Sequence, residues 1–594
     1  MVYWRHARQV LREKGPTELA RLIRRKLRRL TGRYTPGYYD FGYAGWRQSH
    51  ADAMSPGEPQ GAPLVSILLP VFNVTAEHLS AAIGSVVGQS YGNWQLCIVN
   101  DASTAEHIRP MLEKVATDSP RIRVRHLDTN HGIAGASEIA LEMADGEWIA
   151  LLDHDDLLAP HALKEMLLAA DREPEADLLY SDEDKLDGTR YVAPFFKPGW
   201  SPELLACQNY LGHLLFLRRS VVKEAGGFRA GFDGAQDYDL VLRAAPIARR
   251  IVHVPGVLYH WRQIPGSTSL LFAEKDYAWE AGRKALEEAL GRYLAESRAE
   301  KGQLPGTYRP VYPVIGEPLV SVVIPFRDRP DLLDQCLRAL LDLGGWQRLE
   351  VIGVDNQSHD QATRECMTKW METDRRIRFV GYDAPFNFAA ICNYGAETAR
   401  GDYLLFLNND DVINQDGSVR ELLQYACQPG IGAVGGRLTY PDGRIQHAGI
   451  VVGIEGSAGH AFKGFPAQLP GYFGRLHVAS NVSAVTAAML MLDRGRFEAA
   501  GGFDAESFAV ALNDVDLCLE LLRLGYRNVI TPWASGVHHE SASRGSDLDA
   551  ANRQRLTSET RRFRSKWQEF LASGDPCYHP ALTLESEDYR IALP

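Results

Sequence analysis

An internal repeat constrains the fold of this 594-residue chain more than any other feature. Residues 63–66 (PLVS) recur as residues 318–321, an offset of 255 positions (318 − 63). The same offset relates three further pairs: Ser103 and Ser358, Ile122 and Ile377, and Asp155 and Asp410. Similarity at one constant offset is typical of a duplicated structural unit. We therefore expect two related domains in tandem, each long enough to bury its own core.

Each repeat alternates short apolar runs with helical patterns. In the first repeat, residues 65–69 and 148–152 are predicted to be buried strands, and Pro70 is expected to end the first of them. Thr75 is a candidate cap for a helix that ends at Gly88. This alternation predicts an α/β fold, with two tandem Rossmann-like domains whose central sheets are mostly parallel and flanked by helices.

Changes in composition along the chain mark the expected domain boundaries. The predicted organisation is a basic arm with its connection (1–60), a first domain (61–300), a linker (301–317), a second domain (318–545) and a tail packed on the second domain (546–594).

Three carboxylates follow one of the predicted strands. The apolar run 148–152 ends in Asp153, His154, Asp155 and Asp156. Residues two apart on an extended chain face the same way, so Asp153 and Asp155 can point together. Carboxylates placed in this way suit a hard divalent cation, Mg²⁺ or Mn²⁺, whose coordination substrate phosphates complete. The alternative is a solvated acidic turn, because charged side chains are mostly exposed.

A second polar pair, Asn100 and Asp101, follows the predicted strand 96–99. Ligands of open α/β sheets bind beyond the carboxyl ends of the strands. This pair and the Asp153–Asp155 cluster should therefore line one cleft. The corresponding side chains of the second repeat are Asp355, Asn356, Asn408 and Asp410.

The N-terminal 33 residues hold eleven Arg or Lys and two acidic residues, in a chain whose net charge is −11. Apolar residues recur among them at helical spacing, which predicts a basic amphipathic helix. Such a helix either lies at the surface of an anionic membrane or docks on the acidic body of the protein, and both readings stay open. Nucleic acid is not an expected partner, because an excess of basic charge is absent elsewhere.

The eight cysteines are far apart and include no CxxC pair, which argues against both a disulfide framework and a zinc cluster. No apolar run reaches transmembrane length, and the N-terminus lacks the apolar core of a signal peptide. We therefore expect a cytoplasmic protein that neither spans a membrane nor is exported by that route. The basic arm leaves open a peripheral contact with the cytoplasmic face of the inner membrane.

Motifs that occur in the same order in both repeats resemble the family 2 glycosyltransferases of the GT-A fold. In the first repeat they are residues 100–103 (NDAS), 153–155 (DHD), 226–228 (GGF) and 236–240 (QDYDL). In the second repeat they are residues 501–504 (GGFD), 513–518 (NDVDLC) and 537–545 (VHHESASRG). The second set is similar to bacterial enzymes of O-antigen and surface-polysaccharide synthesis. An isolated DxD is weak evidence, whereas an ordered set found twice is specific.

The resemblance implies an inverting transfer from a UDP- or dTDP-linked sugar to a lipid-linked oligosaccharide or polysaccharide acceptor, with a divalent metal. It also implies roles for particular residues. These are metal binding by Asp153, Asp155, His260, Asp410 and His538, proton abstraction by Asp237 and Asp514, and nucleotide binding by Asn100, Asp101, Asp355 and Asn356.

Structural alternatives exist for these roles. Asp237 and Asp514 could cap the helices that they begin, and His260 could be a hydrogen-bonded structural residue. Asn408 replaces the first acidic ligand in the second repeat, so metal binding there would depend on Asp410. The span from acidic cluster to proposed base is also longer there, 104 residues (514 − 410) against 82 (237 − 155). The added residues fall around 440–477, where an acceptor site could be built.

The predicted function is a bifunctional inverting glycosyltransferase that extends a bacterial surface polysaccharide. The alternative is that one domain is catalytic and the other binds the acceptor or acts as a scaffold, the second domain being the one suspected to have lost activity. A nucleotidyltransferase is disfavoured, because residues 70–73 (PVFN) and 325–328 (PFRD) contain no glycine-rich phosphate loop.

Overall fold

The structure is a computed structural model that describes residues 38–50, 55–264, 276–539 and 550–593. The predicted basic helix in residues 1–33 lies outside the described residues. Within these ranges, no helix is both long enough and apolar enough to cross a membrane. All eight cysteines are free thiols in the structure.

The first repeat is built on a nine-stranded sheet. Its strands are β1 (Val65–Val71), β2 (Trp94–Asn100), β3 (Ile122–His126), β4 (Trp148–Leu151), β5 (Leu157–Leu158), β6 (Ala176–Asp187), β7 (Arg190–Phe195), β8 (Leu215–Arg218) and β9 (Arg250–Arg262). The order across the sheet is 3-2-1-4-8-6-9-5, with β7 paired to β6. Strands β1 to β4 are parallel, whereas β8 runs antiparallel to β4 and β6. The predicted polar clusters follow strands of the parallel half.

Helices flank this sheet. They are α1 (Tyr43–His50), α2 (Ala76–Val87), α3 (Ile108–Asp118), α4 (Gly132–Glu142), α5 (Ala162–Arg172), α6 (Pro202–Leu205), α7 (Arg219–Glu224), α8 (Gln236–Ala244) and α9 (Asp276–Tyr293). The Thr75 side chain caps α2 by accepting a hydrogen bond from the His78 N–H, and α2 ends at Gly88 as predicted. The apolar face of α2 is buried against the sheet through Leu79 and Ile83.

Pro70 lies inside β1, so the prediction that it ends the strand is wrong. The Leu68 carbonyl accepts from the N–H of Leu152, and the Val71 carbonyl accepts from the N–H of Asp101. The backbone N–H and C=O groups of the even-numbered residues of β1 therefore point toward β4, because these groups alternate sides along a strand. The pairing of β1 with β4 ends at Leu68, so the N–H that Pro70 lacks leaves no sheet bond unmade.

A two-stranded hairpin of β10 (Arg298–Lys301) and β11 (Tyr308–Val311) connects the repeats. The second repeat has its own ten-stranded sheet, formed by β12 (Val320–Phe326), β13 (Leu349–Asp355), β14 (Ile377–Gly381), β15 (Tyr403–Leu407), β16 (Asp411–Ile413), β17 (Ile431–Thr439), β18 (Ile445–His447), β21 (Ser480–Val482), β22 (Met489–Asp493) and β23 (Arg527–His538). Two further strands, β19 (Ile450–Val452) and β20 (Ala458–His460), pair with each other. The helices are α10 (Pro330–Leu343), α11 (Gln361–Thr373), α12 (Phe388–Thr398), α13 (Ser418–Ala426), α14 (Arg494–Ala499), α15 (Asn513–Arg523), α16 (Ala550–Lys566) and α17 (Gln568–Ser573).

The two large sheets have the same topology. The order 14-13-12-15-22-17-23-16 in the second repeats that of the first, strand for strand. Small hydrogen-bond motifs recur as well: Ser66 donates to Gln95 at 2.9 Å, and Ser321 donates to Glu350 at 2.6 Å. The predicted fold class of two tandem α/β domains with helix-flanked sheets is therefore confirmed.

The repeats are joined by polar contacts. The Tyr472 hydroxyl of the second repeat donates to the Pro194 carbonyl and accepts from the Phe196 N–H at the end of β7. An ion pair of 3.0 Å joins Arg527 to Glu203. The first repeat is therefore packed directly against the second.

The C-terminal tail, which the sequence predicts to pack on the second domain, contacts both repeats. The buried carboxylate of Asp575 accepts hydrogen bonds from the Val452 N–H and the Ser483 hydroxyl of the second repeat. Four residues later, His579 Nε2 lies 2.8 Å from the buried Asp182 carboxylate on β6 of the first repeat. The tail therefore bridges the two repeats.

Candidate functional sites

A cavity of about 740 Å³ lies beyond the carboxyl ends of β1, β2 and β4 in the first repeat. Three predicted site residues line it: Asp101, Asp153 and Asp237. They come from two strand ends and from the first turn of α8, so the fold brings together side chains that are up to 136 residues apart (237 − 101). This cavity is the first candidate site.

His213, which the sequence analysis did not single out, also lines the first cavity. Its Nε2 lies 3.9 Å from Asp153 Oδ2. The imidazole stacks on the Tyr259 ring, with centroids 4.5 Å apart. No motif marked this residue, because a lone histidine before a short strand carries no sequence signal.

The remaining carboxylates of the acidic cluster lie differently. Asp155 is half-buried and is not among the residues that line the cavity. Asp156 is fully buried, and its oxygens accept from the Tyr259 hydroxyl and the Arg262 N–H. Burial and the neighbouring Asp155 and Asp153 carboxylates hold the pKa of Asp156 well above its usual value. Of the three carboxylates in this cluster, Asp153 is therefore the one presented to the cavity.

Asp237 is positioned by its own helix and by one amide. Asn209 Nδ2 donates to Asp237 Oδ2 at 2.9 Å, and the Tyr238 N–H donates to Oδ1 at 2.8 Å. Removal from water raises the pKa of Asp237. The nearby His213 lowers this pKa in part, and the Asp153 carboxylate raises it further. A carboxylate with a raised pKa is a better proton acceptor than an exposed aspartate.

The second repeat has a corresponding cavity of about 500 Å³. Its lining includes the predicted residues Asn356, Asp410, Asp514 and His538, together with Asn408. His538 Nε2 lies 3.3 Å from Asp410 Oδ1 and 3.4 Å from Asn408 Nδ2. The cavity therefore gathers the polar groups of this repeat at the same edge of its sheet.

Asp514 occupies the same place in α15 as Asp237 does in α8, since each is the second residue of its helix. The N–H groups of Ala487 and Val515 donate to its two oxygens, at 3.1 and 2.9 Å. Burial raises the pKa of Asp514 as well. Both candidate bases thus combine a fixed orientation with a raised pKa.

The predicted nucleotide-binding pairs divide into two roles. The first member of each pair holds a turn: Asn100 Oδ1 accepts from the Ser103 N–H, and Asp355 Oδ1 accepts from the Ser358 N–H. Neither lines its cavity.

The second members, Asp101 and Asn356, do line the cavities. Asp101 accepts from the His131 N–H, and Asn356 donates to the Ala384 carbonyl. Asn356 Oδ1 is buried and has no hydrogen-bond partner among the described residues. The second member of each pair is therefore the better candidate for ligand contact.

His260 and His538 are not structurally equivalent, although both were predicted to reach the metal or the diphosphate. In the second repeat, the strand partner of His538 is Asp411. The residue equivalent to Asp411 in the first repeat is Asp156, but the strand partner of His260 is the next residue, Leu157. A shift of one residue turns a side chain to the opposite face. His260 instead lies 2.6 Å from the buried Asp184 and does not line the first cavity.

By this register, the residue of the first repeat that corresponds to His538 is Trp261. Trp261 does line the first cavity. The histidine beside the acidic cluster therefore comes from the end of β23 in the second repeat and from the segment before β8 in the first.

Two further histidines stand beside the second site. His460 lines the cavity, and its Nδ1 lies 2.9 Å from His447 Nδ1. Burial lowers the pKa of His460 to about 3 and that of His447 well below its usual value, so both rings are neutral near pH 7. Both fall in the 440–477 segment of added residues. Residues 540–545 of the predicted motif lie outside the described residues.

Both sites offer ligands that fit a hard divalent cation. In the first, one ligand atom from each of Asp153, Asp156 and His213 lies within 4.8 Å of the others. In the second, the buried Asn408 Oδ1 and both carboxylate oxygens of Asp411 have no hydrogen-bond partner in the part of the chain described. Burial raises the pKa of Asp411 to about 7. Oxygen-rich sets of this kind are those that Mg²⁺ and Mn²⁺ prefer.

Comparison with known proteins agrees with the duplication. The model of glycosyl transferase family 2 matches residues 66–226 and 321–455, which is once in each repeat. Both repeats belong to glycosyl transferase family 2. The resemblance inferred from the motifs is therefore confirmed.

The relatives of this family 2 protein include uncharacterized protein y4gI of Sinorhizobium fredii, 42% identical over 540 residues, which are 90% of this chain and 59% of that one. O-antigen biosynthesis protein RfbC of Myxococcus xanthus is 40% identical over 529 residues, 89% of this chain and 41% of that one. The chain thus spans about half the length of these curated relatives. Among solved structures, S. aureus TarS 1-349 in complex with UDP is 20% identical, with a TM-score of 0.30 over 39% of this chain and 71% of that one.

Proposed function

We propose that the protein is a bifunctional inverting glycosyltransferase with one active site in each repeat, using nucleotide-diphosphate sugars as donors. The observation that carries the proposal is that each cavity contains an aspartate from the start of a helix and a polar cluster from the end of the fourth strand. The family supplies the reaction class. The name of RfbC supports an O-antigen or similar surface polysaccharide as the product.

In the first site, the acceptor hydroxyl attacks the anomeric carbon from the side opposite the diphosphate. The new carbon–oxygen bond forms as the bond to the diphosphate oxygen breaks, and the diphosphate leaves with that electron pair. Asp237 takes the proton of the hydroxyl, and Asp514 does so in the second site. Positioned bases of this kind contribute roughly 10²- to 10⁴-fold in rate.

Cation binding is assigned to Asp153 and His213 in the first site and to Asp410, Asn408 and His538 in the second. When bound, Mg²⁺ or Mn²⁺ neutralises negative charge on the leaving diphosphate. Asp153 carries more of this role than Asp155, because only Asp153 lines the cavity. His260, held by Asp184, is assigned a structural role instead.

Nucleotide binding is assigned to Asp101 and Asn356. Their place beyond the parallel strands is where α/β sheets bind nucleotides. Asn100 and Asp355 support them by fixing the turns on which they lie. UDP- or dTDP-linked sugars are the proposed donors.

The proposed acceptor is a lipid-linked oligosaccharide or polysaccharide. An acceptor of this type would hold the enzyme at the cytoplasmic face of the inner membrane. A peripheral contact through the basic arm fits this placement, since each basic residue near an anionic surface adds about 1 kcal/mol.

A donor screen tests the proposal. The full chain is incubated with Mn²⁺, a lipid-linked acceptor and either UDP-glucose, UDP-N-acetylglucosamine or dTDP-rhamnose, and products are identified by mass spectrometry. We expect transfer from at least one donor and a loss of 10²-fold or more in the double variant Asp237→Asn/Asp514→Asn. The exposed Asp128→Asn is the matched control. Unchanged transfer in the double variant would overturn the proposal.

A second candidate function is that one repeat alone is catalytic. Asn408 favours it, because an amide oxygen is a weaker ligand than the Asp153 carboxylate that holds the same position in the first repeat. Titration calorimetry of the parent protein with UDP and Mn²⁺ distinguishes the two. Two binding events, each lost in the variant that disables its site, support a bifunctional enzyme, and a single event in the parent supports the second candidate.

A further inference from the structure

One wall of the first cavity comes from the second repeat. Phe473 and Gly474 line it together with Asp153 and Asp237, and linker residues 304–308 lie beside them. The second cavity, in contrast, is lined by residues between 325 and 556, all from its own repeat and the helix that follows it. Among the residues that the structure describes, the first of these two cavities takes part of its lining from the other repeat and the second does not.

Residues 194–196 of the first repeat hold Phe473 in place. The Tyr472 hydroxyl bonds to the backbone of Pro194 and Phe196, which flank Phe195. The Phe473 ring stacks on Phe195, with centroids 3.9 Å apart and an angle of 11° between the planes. Its backbone is left-handed (φ 48°, ψ 44°), a conformation rare for bulky residues and common at ligand-binding sites.

The position of this loop relates it to the acceptor side of the site. Asn209, which donates to the proposed base Asp237, follows Gln208 in the chain. Gly474 packs so closely here that a Cβ on it would lie 3.6 Å from Gln208 Oε1 and 3.2 Å from Leu304. The acceptor hydroxyl must approach Asp237, so the Phe473 loop adjoins the path of the acceptor. The nucleotide candidate Asp101 belongs to a different wall, at the end of β2.

We propose that Phe473 of the second repeat forms the acceptor-sugar subsite of the first active site, with its ring packing against the apolar face of a pyranose. This inference depends on the proposed function. It makes the second repeat a specificity-determining part of the first transfer, whatever transfer it performs itself. An aromatic face among carboxylates and amides suits a sugar, which has C–H groups on one face and hydroxyls at its edge.

The test uses the full chain in an Asp514→Asn background, so that only the first site transfers. Octyl glycosides of glucose, galactose, N-acetylglucosamine and rhamnose serve as acceptors. We expect Phe473→Ala to raise the KM for the acceptor about tenfold and to leave the KM for the donor unchanged. Phe473→Trp should keep the acceptor KM within about threefold of the parent value.

Further variants distinguish a subsite from a packing role. Phe473→Gly removes the ring but adopts the left-handed backbone without strain, so it should retain the fold and lose acceptor affinity as Phe473→Ala does. In an Asp237→Asn background, Phe473→Ala should leave the second transfer unchanged. An unchanged acceptor KM in Phe473→Ala and Phe473→Gly would overturn the inference while leaving the proposed function intact. Absence of transfer by the parent protein to every acceptor would count against both.

Discussion

Each cavity has a histidine beside its acidic cluster, but the two histidines come from different positions in the repeat. His213, from the segment before β8, lies beside Asp153 in the first cavity, whereas His538, from the end of β23, lies beside Asp410 in the second. By strand register, the residue of the second repeat equivalent to His213 is Ala488, and the residue of the first repeat equivalent to His538 is Trp261. The duplicated backbone therefore preserves the site but not the chain position of its imidazole. Equivalence must be read from strand register rather than from a matching residue type.

The largest expected effect separates the two sites. Asp237→Asn should abolish one sugar transfer and Asp514→Asn the other, each by roughly 10²- to 10⁴-fold, because each removes one proton acceptor. Products of the single variants are compared by mass spectrometry. Each variant serves as the control for the other. Loss of both transfers in one variant would show that the sites are not independent.

The next largest effect concerns His213 and His538, the histidines beside the two acidic clusters. His213→Ala should raise the Mn²⁺ concentration needed for half-maximal activity in the first transfer by about 10- to 100-fold. His538→Ala should do the same in the second transfer. His260→Ala, whose ring pairs with Asp184, should leave both dependences unchanged and lower thermal stability. Titration of activity with Mn²⁺ gives the readout. A response to His260→Ala equal to that of His213→Ala would restore the original assignment of His260.

A pH profile sharpens the comparison. Desolvation raises the pKa of Asp237, and His213 partly lowers it while Asp153 raises it. The base must be ionised, so kcat/KM of the first transfer should fall as pH decreases through this raised pKa. In His213→Ala the pKa rises further, and the acid limb should move to higher pH. The second transfer, measured in the same variant, should keep its profile, because His213 is not among the causes of the raised pKa of Asp514.

The smallest effect is expected where the repeats differ in sequence but not in role. Asn100→Asp and Asp355→Asn exchange the first members of the nucleotide pairs, and each new side chain keeps the oxygen that accepts from Ser103 or Ser358. Both variants should stay within about threefold of the parent kcat/KM. Asp101→Ala and Asn356→Ala are the comparison variants and should raise the donor KM more. A larger loss in the exchange variants would mean that the first members contact the nucleotide.

Sequence patterns were sufficient for the parts of this protein that depend on local periodicity and on the repeat. They gave the strands that lead to the sites, the cap at Thr75 and the family, because buried strands and constant offsets leave strong signals. They did not give His213 or Phe473, which reach the first cavity through tertiary packing. The place of Pro70 inside β1 could not be predicted, because it depends on the pairing with β4 stopping at Leu68, which is a tertiary feature.

The bridge between His579 and Asp182 bears on the order of folding. These residues are separated by 397 positions in the chain and meet in a buried contact. During synthesis, N-terminal domains generally begin to fold first. Here the Asp182 carboxylate of the first sheet lacks one of its imidazole partners until residue 579 has emerged from the ribosome. Maturation of the earlier unit is thus tied to completion of the later one.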